Sequence, residues 1–129
     1  PTIYVLDDRG GNSTAKWISK ANLVPKNKPE ISLALALAGE YLGQRFYIMA
    51  GGSGAPQIPP VTHLKLVREK TNLFIIATSG LKTVSDIDKM FKNGADAVHV
   101  GSLLEQKNSF NILNKMVTAS KKYSGKSFL

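Results

Sequence analysis

The stretch "YIMAGGSGAP", residues 47–56, decides how this chain is read. An apolar run breaks abruptly into Gly51, Gly52, Ser53 and Gly54. Glycine loses more backbone entropy on folding than any other residue, so a cluster of this kind needs a physical reason. Either the turn requires it, or something must come very close to the backbone. A short apolar run that ends in such a loop and is followed by a helical pattern reads as a strand–turn–helix unit.

Working outward, the same unit recurs on both sides. Residues 2–7 ("TIYVLD") read as a buried strand ending at Asp8, Arg9, Gly10 and Gly11. Residues 12–28 are polar and read as a long loop or a short helix. Pro29 then suits a first helical turn. The run that follows is apolar at Ile31, Leu35, Ala38 and Leu42, and also at Leu33 and Leu37, which predicts a helix buried on two sides and ended by Gly43. Residues 46–50 form the second strand, and Pro59 and Pro60 open a helix carrying Val61, Leu64 and Val67. Residues 73–77 form the third strand. Thr83 and Asp86 resemble a capping box opening a helix with Ile87, Met90 and Phe91, closed by Gly94. Residues 97–100 form the fourth strand, and residues 110–123 a last amphipathic helix.

Strand–helix repeated four times, with short apolar strands, predicts an α/β fold with a parallel sheet. Four such units are half of a (β/α)8 TIM barrel. A small open doubly wound sheet has the same local pattern. The half barrel leaves two strand edges to be paired by something else.

The composition fits one domain, taken as residues 1–129. The chain has 129 residues, 43% of them hydrophobic, and no cysteine, which excludes disulfides, thiolate nucleophiles and cysteine-based metal sites. No apolar run approaches the length of a spanning helix. The strand-like opening suggests no signal peptide, and the lack of cysteine fits a reducing cytoplasm. The formal charge of +8, from 17 basic and 9 acidic residues, favours anionic partners and leaves room for peripheral membrane contact. The basic residues are spread and not interleaved with aromatics, so nucleic acid is not the expected partner.

In parallel α/β folds, ligands lie beyond the carboxyl ends of the strands. Gly51, Gly52, Ser53 and Gly54 follow the second strand, Thr78, Ser79 and Gly80 the third, and Gly101 and Ser102 the fourth. Small residues, hydroxyls and bare N–H groups before helix N-termini suit an anion such as phosphate. Any one of these loops could be merely a tight turn, but three at one end of a sheet point to a site. Lys82 either adds charge to that anion or is a solvated first-turn lysine. His63 and His99 do not form a metal pair, and His99 is expected to pack inside or against a helix. Asp7 and Asp8 offer either a functional acid or a turn. Trp17 and Phe128 are expected to be packing residues. No Ser–His–Asp set, P-loop or HExxH motif is present.

The wording of the chain resembles the C-terminal half of the archaeal geranylgeranylglyceryl phosphate synthases, the phosphoglycerol prenyltransferase family. Where that family has text like "RNKPEIAAAYALAGEYLG" and "YLEAGSGA", this chain has "KNKPEISLALALAGEYLG" (26–43) and "YIMAGGSGAP" (47–56). The family's "GGGIR" stands here as "TSGLK" (78–82), and its "GADxIVVGN..E" as "GADAVHVGSLLE" (94–105). The opening "PTIYVLD" is similar to the family's "P.AYLIV". The resemblance implies strands five to eight of a (β/α)8 barrel. It implies an enzyme that transfers a geranylgeranyl group from its diphosphate to sn-glycerol 1-phosphate in ether-lipid synthesis, with Mg²⁺ holding the diphosphate.

Carried over residue by residue, the resemblance places the glycerol phosphate at Tyr47, Ala50, Gly51, Gly52, Ser53, Gly54, Ser79, Gly80, Gly101 and Ser102. It also implies departures. Met49 stands at the family's Glu, one residue is inserted in the glycine loop, and the Mg²⁺ ligands are expected in a first half outside this chain. Asp7 and Asp8 are the nearby acids available in place of that Glu. The resemblance thus leaves two functions, a prenyltransferase completed by a first-half partner or a homo-oligomer, or a non-catalytic phosphate-binding or assembly half barrel.

Overall fold

The computed structural model describes residues 1–125, so Phe128 lies outside the described residues. The order of elements is β1 (Thr2–Leu6), α1 (Thr14–Ser19), α2 (Pro29–Tyr41), β2 (Phe46–Ala50), α3 (Val61–Lys70), β3 (Phe74–Thr78), α4 (Val84–Lys92), β4 (Ala97–His99) and α5 (Ser109–Ser120). Short 3-10 turns at Ser102–Glu105 and Lys121–Tyr123 flank α5. The four strands pair in parallel in the sequential order β1-β2-β3-β4. A doubly wound sheet reverses its strand order and carries helices on both faces. Here the order never reverses, so the half-barrel reading holds.

The register shows which face is covered. Val5, Met49 and Ala77 form one cross-strand row, and Tyr47 stands beside Ile75. All five belong to one buried cluster with Ala36 of α2, Leu64 and Val67 of α3, and Ile87 and Met90 of α4. Side chains alternate between faces along a strand. Tyr4, Phe46, Ile48, Phe74 and Ile76 therefore share the opposite face, where Tyr4 is 58% exposed and Phe46 and Phe74 also meet solvent. In a closed barrel this bare side is the interior.

Local chemistry explains the ends of the elements. Thr83 Oγ1 accepts the Asp86 N–H at 3.1 Å, and Asp86 accepts the Thr83 N–H at 2.9 Å, the expected capping box. The segment 12–28 contains the short helix α1, capped by Ser13, whose Oγ accepts the Lys16 N–H. The third strand starts and ends one residue later than expected, the fourth stops at His99, and Asp7 leaves β1 for a single bridge to Val24.

Two packing expectations are corrected. Helix α2 buries one side only, through Ser32, Ala36 and Gly39. A Cβ on Gly39 would run into Ile3 of β1, so close helix–sheet contact selects small residues there. The larger Ile31 and Leu35 turn outward instead. Trp17 is not a packing residue, because α1 buries none of its six residues.

One side chain ties the strand ends together. Arg9, 1% exposed, grips the Asp7 carboxylate with two prongs, Nε to Oδ1 and Nη2 to Oδ2. Its Nη1 donates to the carbonyls of Thr78 at 2.6 Å and Ser79 at 2.8 Å, and Nη2 donates to the Met49 carbonyl at 3.1 Å. Asp7 and Arg9 follow β1, Met49 lies in β2, Thr78 ends β3 and Ser79 follows it. Burial pushes the Asp7 carboxyl up from its usual range, while Arg9 and, more weakly, His63 and Lys16 pull against that rise. At the other end of the sheet, Arg68 of α3 bonds Asp96 at 2.9 Å, and Asp96 also accepts the Ile75 N–H.

Two outcomes are expected. Removing one member of a buried ion pair leaves the other uncompensated, at about 3–5 kcal/mol. Arg9→Met should therefore lower stability by roughly that amount in urea unfolding, and adding Asp7→Leu should recover much of it. A single-variant loss below about 1 kcal/mol would show that Arg9 does not hold the strand ends. The bare sheet face and open strand edges should also make the chain self-associate at micromolar concentration. A compact monomer in light scattering would count against this.

Candidate functional site

The three loops seen in the sequence do meet. Beyond the carboxyl ends of β2, β3 and β4 lies a concavity of about 750 Å³, open on one side. Gly52, Ser53 and Gly54 line it from the loop after β2, Ser79, Gly80 and Lys82 from the loop after β3, and Gly101 and Ser102 from the loop after β4. Its floor is the bare sheet face, at Tyr4, Ile48 and Ile76. Ser53 Oγ and Ser102 Oγ stand 3.2 Å apart, so a hydrogen bond joins the first loop to the third.

The glycines fall into two groups. A Cβ on Gly51 would come within 2.6 Å of Arg9 Cδ, so this glycine makes room for the buried arginine. Gly52 and Gly80 are likewise filled from within, by the Ser13 hydroxyl and the Gln57 carbonyl. Gly54 and Gly101 differ, because a Cβ on either would meet nothing within 4 Å. Gly101 has an ordinary φ of −128°, so no backbone strain calls for glycine there. Its missing side chain leaves open space at the concavity wall.

Not every expected residue reaches this site. Tyr47 lies on the covered face. Burial pushes its hydroxyl up to about 12. That hydroxyl lies near Ser32, whose Oγ is bonded instead to His63 Nδ1 at 2.8 Å, and it makes no hydrogen bond of good geometry. Met49 is on the same covered face, and its side chain packs among the helices. Ala50 shares the inner side with Ile48 by alternation, yet it and Gly51 are buried below the concavity. Asp7 is held by Arg9, and Asp8 Oδ1 accepts the Gly10 N–H at 3.1 Å, so both acids are engaged in the loop after β1.

The histidines separate. His63 is fully buried, its Nε2 3.0 Å from the Lys26 carbonyl oxygen, and serves the join between α2 and α3. His99 is exposed and lines the concavity, contrary to the expectation of packing. By alternation it shares the bare face of the sheet with Ala97 and Ile76. Lys82 is exposed at the rim. Among the described residues, no group of three His, Cys, Asp or Glu side chains is placed to hold a metal ion. No carboxylate lines the concavity.

Sequence reasoning missed Arg9. The signal was present in "DDRGG", an arginine two residues past an acid at a strand end, with a glycine waiting opposite at Gly51.

Comparison with known proteins agrees with this geometry. The geranylgeranylglyceryl phosphate synthase of Korarchaeum cryptofilum is 40% identical over 106 residues, 82% of this chain and 43% of that protein. Its counterpart in Thermococcus sibiricus is 37% identical over 109 residues, 84% of this chain and 42% of that protein. The chain spans about half the length of the curated relatives it matches. Among solved structures, the (S)-3-O-geranylgeranylglyceryl phosphate synthase of Thermoplasma acidophilum, in complex with its substrate sn-glycerol-1-phosphate, superposes with a TM-score of 0.86 at 26% identity. That match covers 95% of this chain and 49% of the other. The profile of the PcrB family matches residues 4–122, and the chain belongs to the PcrB family.

Proposed function

We propose that this chain is the glycerol-phosphate-holding half of a phosphoglycerol geranylgeranyltransferase, cytoplasmic and completed by a second set of strands. The observation that carries the reading is the convergence of three small-residue loops on one concavity, with open space over Gly54 and Gly101. The phosphate of sn-glycerol 1-phosphate lies against the loop N–H groups and the hydroxyls of Ser53 and Ser102, near the N-terminus of α4 and the start of the 3-10 turn Ser102–Glu105. Hydroxyls and backbone N–H groups donate readily to phosphate oxygens. Lys82 adds positive charge at the rim.

Transfer forms a C–O bond between the glycerol hydroxyl and the prenyl carbon, expels diphosphate and requires loss of the hydroxyl proton. General-base help is commonly worth about 10²–10⁴-fold. The face assignment revises where such a base would stand. Sliding the family text "YLEAGSGA" by one residue removes the inserted residue and sets its Tyr on Ile48 and its Glu on Ala50, both on the inner face. Neither position carries a base here. Among the described residues no group of side chains fits a Mg²⁺ site. Mg²⁺ and the base are supplied with the remaining strands. A non-catalytic phosphate-binding half is the second reading, favoured by the absence of any carboxylate in the concavity lining.

Gly101→Leu should weaken sn-glycerol 1-phosphate binding at least about tenfold by calorimetry, because one lost phosphate hydrogen bond alone is worth about 1.5–3 kcal/mol. The melting temperature should hardly change, since the site is open and unstrained. Unchanged affinity would remove the phosphate from these loops. In a radiolabel assay with both substrates and Mg²⁺, this chain alone should show no prenyl transfer. Turnover by the chain alone would overturn the division of labour between halves.

A further inference from the structure

Helix α1 follows β1 at the mouth end of the sheet, and Ala15 within it lines the concavity. It has six residues and buries none of them. Trp17 is 77% exposed and Ile18 is 67% exposed. So short a helix gains little from backbone propensity alone and relies on packing for its stability. In this fold α1 has almost no packing on its outer side. What it presents there is an indole and a branched aliphatic side by side.

The charge around it is one-sided. From residue 10 to residue 29 the chain contains Lys16, Lys20, Lys26 and Lys28 and no Asp or Glu. Lys16 is tied to the carbonyls of Gly10 and Gly11. Lys20, Lys26 and Lys28 are exposed. Lys28 sits at the N-cap of α2, and helices of parallel strand–helix units begin at the end where the strands finish. Lys26 reaches Gln57 in the loop after β2 at 2.7 Å, which places it at the same end. Its contact, and the 3.7 Å pair of Lys28 with Glu30, are solvent-exposed and weak enough to be exchanged for another anion.

We infer that residues 14–28 form a contact surface for an anionic lipid bilayer, with Trp17 and Ile18 entering the headgroup boundary and Lys20, Lys26 and Lys28 facing lipid phosphates. An element that exposes Trp beside several lysines suits the interface plane. Tryptophan prefers that depth because its ring is apolar and its N–H still finds water or a headgroup. Each lysine near an anionic surface contributes about fivefold to binding. No helix among the described residues is long and apolar enough to cross a membrane, so the contact is peripheral. This surface deepens the functional reading, since it sets the mouth of the concavity beside the phase in which a prenyl chain dissolves. Its test does not depend on that reading.

Trp17 is the only tryptophan of the chain, so its fluorescence reports this surface alone. The test adds vesicles of phosphatidylcholine, or of phosphatidylcholine with one-third phosphatidylglycerol, to the purified chain. With the anionic vesicles, emission should shift to the blue, brominated acyl chains should quench it, and the protein should float with the lipid. High salt should reverse these effects. Lys20→Glu, Lys26→Glu and Lys28→Glu together should weaken binding at least about tenfold with an unchanged circular dichroism spectrum. Trp17→Ala, followed by flotation, should also lose lipid. An absent shift, or equal salt-insensitive binding to neutral vesicles, would overturn the inference. So would a blue shift that grows with protein concentration without lipid, which would assign the surface to a second copy of the chain. Calorimetry with sn-glycerol 1-phosphate on the same samples separates a failed membrane contact from a failed binding site.

Discussion

The ion pair between Arg9 and Asp7 is the constraint on which the mouth of this sheet depends. A parallel sheet fixes its strands by backbone hydrogen bonds, but those bonds end where the strands end. Near that point the carbonyls of Met49, Thr78 and Ser79 take donors from the guanidinium, which supplies them from one buried place. Guanidinium suits the task because its planar fork offers five donors in fixed directions. A lysine could not reach three carbonyls on two strands and a carboxylate at once. Burying this charge is tolerable only because Asp7 is there with two oxygens in register, so the acid belongs to the scaffold and not to the chemistry.

From this constraint the division among the glycines follows. Gly51 is consumed by the scaffold, and so are Gly52 and Gly80. A glycine-rich loop is therefore not by itself a ligand loop. Only positions where the absent Cβ leaves space unfilled by the protein can admit a ligand, and Gly54 and Gly101 are of this kind. The site that remains has neutral donors and one rim lysine, without a carboxylate. Such a surface can hold a phosphate and orient what is attached to it. It offers nothing that would strongly repel an anion.

Much of the fold was legible because it is written in local patterns. The apolar runs, Pro29, the Thr83–Asp86 cap and the stop at Gly94 each act within a few residues, and the structure realises all of them. The three loops were legible for the same reason. What stayed hidden depends on contacts far apart in sequence. The local stretch "DDRGG" pairs Arg9 with an acid, but it does not say that Arg9 turns inward to meet residues 69 and 70 positions away. Helix α2 looked two-sided because leucines flank its small residues, yet the sheet selects Ser32, Ala36 and Gly39, since small side chains allow closer approach. His99 looked buried because its neighbours are valines, but alternation sets it with Ala97 and Ile76 on the bare face while Val98 turns to the core. Trp17 looked like core on hydrophobicity alone, which ignores that a six-residue helix has little core to join.

The least visible matter was a single step of register. A strand has a side-chain period of two, so a shift of one residue exchanges the faces completely. Read with an insertion in the glycine loop, "YIMAGG" sets Tyr47 and Met49 in the place of a tyrosine and a carboxylate. The sheet register forbids that reading as a description of the site, since Met49 pairs with Val5 and Ala77 in the row buried by helices. A carboxylate at that position would be desolvated under α2 and α3, far from any hydroxyl in the concavity, and would cost several kcal/mol to ionise. The inner-facing residues of β2 are Phe46, Ile48 and Ala50, all apolar, and they continue the apolar floor formed by Tyr4 and Ile76. The inner wall of this half is thus apolar and carries no base of its own, and in the proposed transferase proton removal would fall to a group that approaches across the open face.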